Sequence, residues 1–137
     1  VDLDAFKIYL LDIGLLIAMV DLDARVIIDG NRIFTEFKGA LTEQYVLQQL
    51  IADLGVEAYY YSTEKSSGEI DFLLQGRSSI LPVEVKAEEN LRAKSLKAFC
   101  EKYHPAYAVR TSMSDYREQE WMTNIPLYNI CRIKQYL

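Results

Sequence analysis

The stretch Gly68-Glu-Ile-Asp71-Phe-Leu-Leu-Gln-Gly-Arg-Ser-Ser-Ile-Leu-Pro-Val-Glu84-Val-Lys86 decides the fold. It reads as two short strands joined by a polar turn. Ile70, Phe72 and Leu74 alternate with Glu69, Asp71 and Leu73, then Val83 and Val85 alternate with Glu84 and Lys86. Side chains on a strand repeat every second residue, so Glu84 and Lys86 share a face, roughly 7 Å apart along the strand. The other face of each strand is apolar and belongs to the core. Charge projecting from the middle of a small sheet is costly unless it is paired or holds a metal ion. The turn sets the register. An even turn (Arg77-Ser78, or Gly76 to Ser79) puts Asp71 opposite Glu84, whereas a three-residue turn puts it opposite Val83.

With the even turn, two carboxylates and a nearby lysine make an oxygen-donor site suited to a hard divalent ion, Mg2+ or Mn2+. Lys86 is then placed to orient or deprotonate an attacking water and to neutralise phosphate charge. A solvated sheet face carrying a Glu84–Lys86 ion pair would show the same alternation, and the local pattern leaves both readings open.

The chain of 137 residues suits one domain with one core, and half of it is hydrophobic, enough to fold. It begins at Val1, which leads us to expect an excised domain. Residues 6–20 are apolar but interrupted by Lys7 and Asp12, too short to span a bilayer and without a signal-peptide layout. Cys100 and Cys131 form no C-x-x-C pair and His104 is the sole histidine, which argues against zinc and for a reduced, cytoplasmic setting. His104 ends a helix, where it suits free carbonyls better than catalysis. The net charge of −5 argues against tight unassisted binding to nucleic acid, although Lys86, Arg92, Lys94 and Lys97 form a local basic cluster.

Outward from the central hairpin, Ala5 to Leu11 reads as a short extended segment, alternating in part. Asp12 caps a helix through about Val20, and Asp21-Leu-Asp23 recaps a second stretch ending near Gly30. Asn31 is expected to cap the longest helix, about Arg32 to Leu54, closed by Gly55. Its apolar positions are Ile33, Phe37, Ala40, Leu41, Leu47, Ile51 and Leu54, with Glu43 at the margin of the stripe. That acid either snorkels to water or points at the charged strands. Tyr59 to Thr63 is β-prone and should be the first strand, followed by a polar turn from Thr63 to Gly68. Arg92 to Tyr103 fits a helix with Leu96 and Phe99 inward, and Pro105 stops it. Ala106 to Thr111 is a further strand, Ser112 to Asn124 is irregular, and Ile125 to Ile130 resembles an edge strand because of Pro126. Cys131 to Leu137 forms one helical turn or trails off. This order gives an α/β fold, a mixed β-sheet flanked by helices. No P-loop is present in these residues.

Glu43, Asp71 and Glu84-x-Lys86 resemble the restriction-endonuclease-like, PD-(D/E)XK, nuclease pattern in order and spacing, with Ile70 where that pattern has its proline. A closer resemblance spans nearly the whole chain. Phe6 to Leu16, Glu43 to Leu50, Gly68 to Phe72, Pro82 to Lys86 and Asn124 to Tyr128 look like the C-terminal domain of unknown function of archaeal and bacterial AAA-type ATPases. The resemblance implies an N-terminal P-loop ATPase domain, which binds ATP, on the same chain. It divides these residues into a connecting helical segment, 1–30, and a nuclease-like domain, 31–137. It also implies catalytic roles for Glu43, Asp71, Glu84 and Lys86. Asp71 and Glu84 would be metal ligands, with the Val85 carbonyl as a third ligand and Glu43 completing the site directly or through water. Ser95 and Lys97 would stand near phosphate. Mg2+-dependent cleavage of nucleic acid, DNA included, is one function this implies. A regulatory module for the ATPase that binds nucleic acid or protein without cleaving is the alternative, and an oligomerisation domain forming a homo-oligomer is the third.

Overall fold

The computed structural model of the chain describes residues 6–21, 25, 32–63, 66–77, 79–87 and 92–137. The expected Asn31 cap, most of the second short stretch before it, and Lys65 lie outside those residues. The described elements are α1 (Ile13–Met19), α2 (Arg32–Gln49) with a π-helical turn (Leu50–Leu54), β1 (Ala58–Thr63), β2 (Ser66–Gln75), β3 (Ile80–Val85), α3 (Lys94–Tyr103), β4 (Val109–Ser112), β5 (Arg117–Glu118), β6 (Thr123–Pro126) and a closing 3-10 helix (Leu127–Tyr136). The strands form one mixed sheet in the order β1-β2-β3-β4-β6-β5. The chain is therefore α/β with helices packed on the sheet, and no helix among the described residues is long and apolar enough to cross a membrane.

The central turn is even. Phe72 pairs with Val83, Leu73 with Pro82, Leu74 with Leu81 and Gln75 with Ile80. The Gly76 N–H donates to the Ser79 carbonyl at 2.9 Å, closing a turn from Gly76 to Ser79. The paired residues end at Phe72–Val83, one step before Asp71 and Glu84. The C-terminus secures this turn from outside, because the Arg77 N–H donates to the Leu137 carbonyl at 3.0 Å. Gly76 is needed there, since a Cβ would meet the Leu137 carbonyl oxygen at 3.1 Å. So the chain end does more than trail off: the 3-10 helix buries Ile130 and Ile133 against Val46, Leu50, Leu81 and Val83.

The plain alternation of β2 needs correcting. Tyr59 pairs with Leu73 and Tyr61 with Ile70, so Asp71 and Phe72 together oppose the single Tyr60. This is a β-bulge, which re-aims the side chains on either side of it. Phe72 and Leu74 enter the core beneath α2 with Val83 and Val85, whereas Ile70 packs with Leu96 and Phe99 of α3. β2 also starts earlier than expected, with Ser66 already paired to Thr63.

Helix α2 runs as expected into a left-handed Gly55, φ 60°, but its last turn is π-helical. Leu41, Val46 and Leu50 are buried, while Ile51 and Ala40, expected inward, are exposed. A π turn winds more slowly than an α turn, which rotates Ile51 away from the sheet. Ala40 borders the cleft under the N-terminal segment instead. The space around Gly55 is open, so Gly55→Ala tests the backbone alone. A cost of about 1 kcal/mol is expected, read as a lower denaturation midpoint at unchanged slope.

β3, β4 and β6 are parallel neighbours, with α3 as the crossover between β3 and β4. The expected edge strand is interior: β6 lies between β4 and β5, and the two-residue β5 takes the edge. Pro126 is tolerated because it is the last residue of β6, beyond Thr123 and Asn124, which pair with β5. Asp12 caps α1 as expected, its Oδ1 accepting from the Leu15 N–H at 2.9 Å. Residues 6–10 are extended but belong to none of the described strands.

Candidate functional site

Glu84 sits on β3 between Val83 and Val85, both of which face the α2 side, so it faces the α3 side. Its side chain is 5 % exposed, and Oε1 pairs with Lys86 Nζ at 2.6 Å. The other oxygen, Oε2, is buried with no hydrogen-bond partner. An orphaned carboxylate oxygen costs about 1–3 kcal/mol, so its persistence in a sheet centre needs a reason beyond folding. The next strand supplies charge. Arg110, 1 % exposed, stands beside Glu84 in the parallel register, and its Nε donates to Asn124 Oδ1 at 2.9 Å. Burial lowers the Arg110 pKa from its ordinary value, and the nearby Glu84 charge works against that shift. Ser112 Oγ also donates to Asn124 Oδ1, at 2.8 Å, and the Asn124 amide holds the carbonyls of Ser114 and Asp115. A polar row thus crosses β3, β4 and β6 from the candidate glutamate.

Asp71 lies in the bulge. Its Oδ2 accepts the Val85 N–H at 2.7 Å, a side chain standing in for a ladder carbonyl. Burial pushes the Asp71 pKa up to about 6, aided by the Glu43 charge; the Val85 N–H, Lys7 and Lys86 act in the other direction. Asp71 Oδ1 faces Lys7, whose Nζ is 3.8 Å away. Glu43 on α2 does point toward the strands, but through an intermediary: its Oε2 accepts from Lys7 Nζ at 3.3 Å and from the Tyr9 hydroxyl at 3.1 Å. Lys7 also pairs with Glu69. Burial lowers the Lys7 pKa, but the Glu69 hydrogen bond and the charges of Glu43 and Asp71 outweigh it, leaving a net rise. Burial, then the Glu43 charge and hydrogen bond, raise that of Tyr9.

The four chain-distant side chains therefore fall into two linked groups. Glu84 and Lys86 form one. Glu43 and Asp71 form the other, with Lys7 between them. The Asp71–Val85 hydrogen bond joins the groups. Among the described residues, no three His, Cys, Asp or Glu side chains are gathered closely enough to hold a metal ion. Asp71 and Glu84 are hard oxygen donors on neighbouring strands, one with an unpartnered buried oxygen, a donor type that suits divalent cations. Ser95 is half-buried and Lys97 exposed on α3. Ile70, in place of the nuclease proline, is buried under α3.

Lys7, Tyr9 and Arg110 were not singled out by the sequence reading. The partial alternation of Phe6-Lys-Ile-Tyr9 held a signal for the first two, since one side of that segment is polar at both positions. A lone arginine within the apolar strand at Val109 was the signal for the third. A larger apolar groove of about 380 Å³, lined by Ile13, Ile17, Leu41, Tyr45, Met113 and Leu127 among others, touches none of the candidate carboxylates.

Fold and site together define a mixed α/β domain with a carboxylate–lysine cluster beside a bulged central hairpin. The chain belongs to the family described as Domain of unknown function (DUF4143), whose profile matches residues 38–130. That span includes Glu43, Asp71, Glu84, Lys86 and Arg110. No curated protein and no solved structure matches the chain.

Proposed function

We propose that this is a restriction-endonuclease-like domain whose Asp71 and Glu84 bind Mg2+ or Mn2+ for hydrolysis of a nucleic-acid phosphodiester. What supports the reading is the even β2–β3 register, which runs to Phe72–Val83, beside a buried Glu84 Oε2 without a partner. Asp71 and Glu84 would hold the cation, with the Val85 carbonyl as an added donor and Glu43 next in line. The cation would supply Lewis-acid polarisation of a phosphoryl oxygen. Lys86, 35 % exposed, is the group that can reach substrate, either orienting water or meeting phosphate charge. Arg110 holds compensating charge beside Glu84. The family's common occurrence with AAA ATPases supports an ATPase partner on the same polypeptide, consistent with residues 1–30 as a connector.

A second reading is favoured by one observation: Lys7 stands where a cation would meet Glu43 and Asp71. On that reading the domain keeps the nuclease architecture and serves its ATPase as a binding module without cleavage. The test is incubation with labelled single- and double-stranded DNA and RNA in Mn2+, against a chelator control. The first reading expects metal-dependent cleavage that falls about a hundredfold or more in Lys86→Ala. Substrates left intact, with no heat of metal binding, would favour the module.

A further inference from the structure

Tyr59, Tyr61 and Tyr103 line one side of the sheet at its β1 edge. Among the described strands, β1 is outermost and has only β2 beside it. Tyr59 and Tyr61 are alternate residues of β1, so both face the α3 side, where Tyr61 packs beside Ile70 and Phe99. From α3, the Tyr103 hydroxyl meets that of Tyr61 at 3.1 Å, and the two ring centres stand 5.8 Å apart. Tyr59 is 54 % exposed and Tyr103 48 %, and the Tyr59 hydroxyl donates to the Glu57 carboxylate. Lysines flank these rings. Lys102 Nζ lies 4.8 Å from the centre of the Tyr103 ring. Ser95, Phe99 and Lys102 follow the i, i+4, i+7 spacing, so the contact of Phe99 with Tyr61 turns Lys102 toward β1. Lys94 stands beside that stripe at the start of the helix. α3 carries three lysines, all exposed, against one glutamate, in a chain whose net charge is −5. As the crossover from β3 to β4, it begins at the end of β3 that bears Lys86 and runs back along the sheet.

We infer that this tyrosine–lysine surface is the track of a single-stranded nucleic acid, running along β1 and α3 toward Lys86. The inference rests on the nucleic-acid reading above and names the form of the strand. Bases offer their ring faces in a single strand, and exposed tyrosine rings take them by stacking without regard to sequence. A duplex hides those faces and meets the lysines alone. Lys94 and Lys102 stand on the flank nearest the rings, where they neutralise the phosphates of a stacked strand. An exposed contact between ammonium and ring is weak, so Lys102 exchanges it for a phosphate when a base reaches Tyr103. The positive balance of α3 supplies the charge complementarity that the chain as a whole lacks. Rings and phosphates are common to DNA and RNA, so the track reads strandedness and not the sugar. Binding of this kind needs no metal ion.

Fluorescence anisotropy of labelled oligothymidylate and oligouridylate, in chelator at low salt and against a duplex of equal length, tests this. The protein should bind both single strands about tenfold more tightly than the duplex. Tyr59→Leu should weaken single-strand binding about tenfold and leave duplex binding unchanged. Lys94→Gln with Lys102→Gln should lower the slope of log affinity against log salt by about 1.4, whereas Lys134→Gln on the C-terminal helix should leave it unchanged. A further measurement needs no variant. Bound oligothymidylate should slow acylation of Lys94 and Lys102 in the wild-type protein, read by mass spectrometry, and not that of Lys134. No binding of either single strand, a duplex bound as tightly, variants that bind like wild type, or Lys94 and Lys102 unprotected at saturation each overturn the track. Variants that bind like wild type while Mn2+-dependent cleavage persists overturn the track and leave the nuclease reading standing. Strands bound on the track but left uncut in Mn2+ overturn cleavage and leave the track standing.

Discussion

Arg110→Met is expected to destabilise the domain by about 3 kcal/mol, because it removes the buried guanidinium that stands beside Glu84 on the adjacent strand. Arg110 is 1 % exposed and Glu84 3 % exposed, and the two stand side by side on β4 and β3. Part of the loss is the Nε bond to Asn124, worth about 1 kcal/mol at most on a net basis. The rest is charge. Adding Glu84→Gln should therefore return roughly half of the loss, since the double variant leaves neither charge buried alone. Chemical denaturation of the four proteins in the cycle measures this. Purely additive losses would mean that Glu84 is compensated by Lys86 alone and that Arg110 serves only the Asn124 network.

The polar row bears on function through what it permits. A carboxylate in the centre of a sheet usually escapes the cost of burial by taking up a proton or by pairing fully. Glu84 has one oxygen paired to Lys86 and one left over, with a guanidinium on the adjacent strand. A buried carboxyl oxygen is thereby left in reserve between two cationic side chains. The arrangement costs stability, and such costs concentrate where a ligand later repays them.

The hairpin was legible in the sequence because its signals are local. Strict alternation in Val83-Glu84-Val85-Lys86 and a polar turn beginning with Gly76 are enough to fix strands and faces. The even register itself needed the structure, where the Leu137 carbonyl crowds Gly76 and the turn closes on Ser79. The bulge at Asp71-Phe72 was silent. Ile70, Phe72 and Leu74 are all apolar, and each has a core to enter on its own side of the sheet, so a slip between Ile70 and Phe72 breaks no pattern. Glu43 could be placed at the margin of α2 by helical spacing, but its partner lies 36 residues away in sequence. Periodicity carries no information about a contact of that range. β5 escaped for the opposite reason, since two residues are too few to alternate. With β5 silent in the sequence, Pro126 makes β6 read as the edge.

Asp71→Asn is expected to stabilise the chain by about 2 kcal/mol near neutral pH in the presence of chelator, a gain that comes from removing a charge held against burial. The Asp71 pKa is raised from 3.8 to about 6, with burial the leading cause. A carboxyl raised in the folded state binds its proton more tightly there than in the unfolded chain. Wild-type stability from this group therefore rises as pH falls from about 7 through 6, and it is flat below about 4, where both states are protonated. The advantage of asparagine should be full at pH 7 and gone near pH 4. A rise from 3.8 to about 6 corresponds to about 3 kcal/mol, and the 14 % exposure of the side chain and the nearby Lys7 lower the expected gain to about 2 kcal/mol. The amide oxygen of asparagine can still accept the Val85 N–H, so the bulge geometry survives the change. Thermal melts of both proteins across this pH range provide the measurement. Asparagine that destabilises at pH 7 would show that Lys7 more than compensates Asp71, making the aspartate half of a structural ion pair. Stabilisation there, together with a rise in the melting temperature of wild type but not of Asp71→Asn on adding Mn2+, would mark a carboxylate kept charged for a cation.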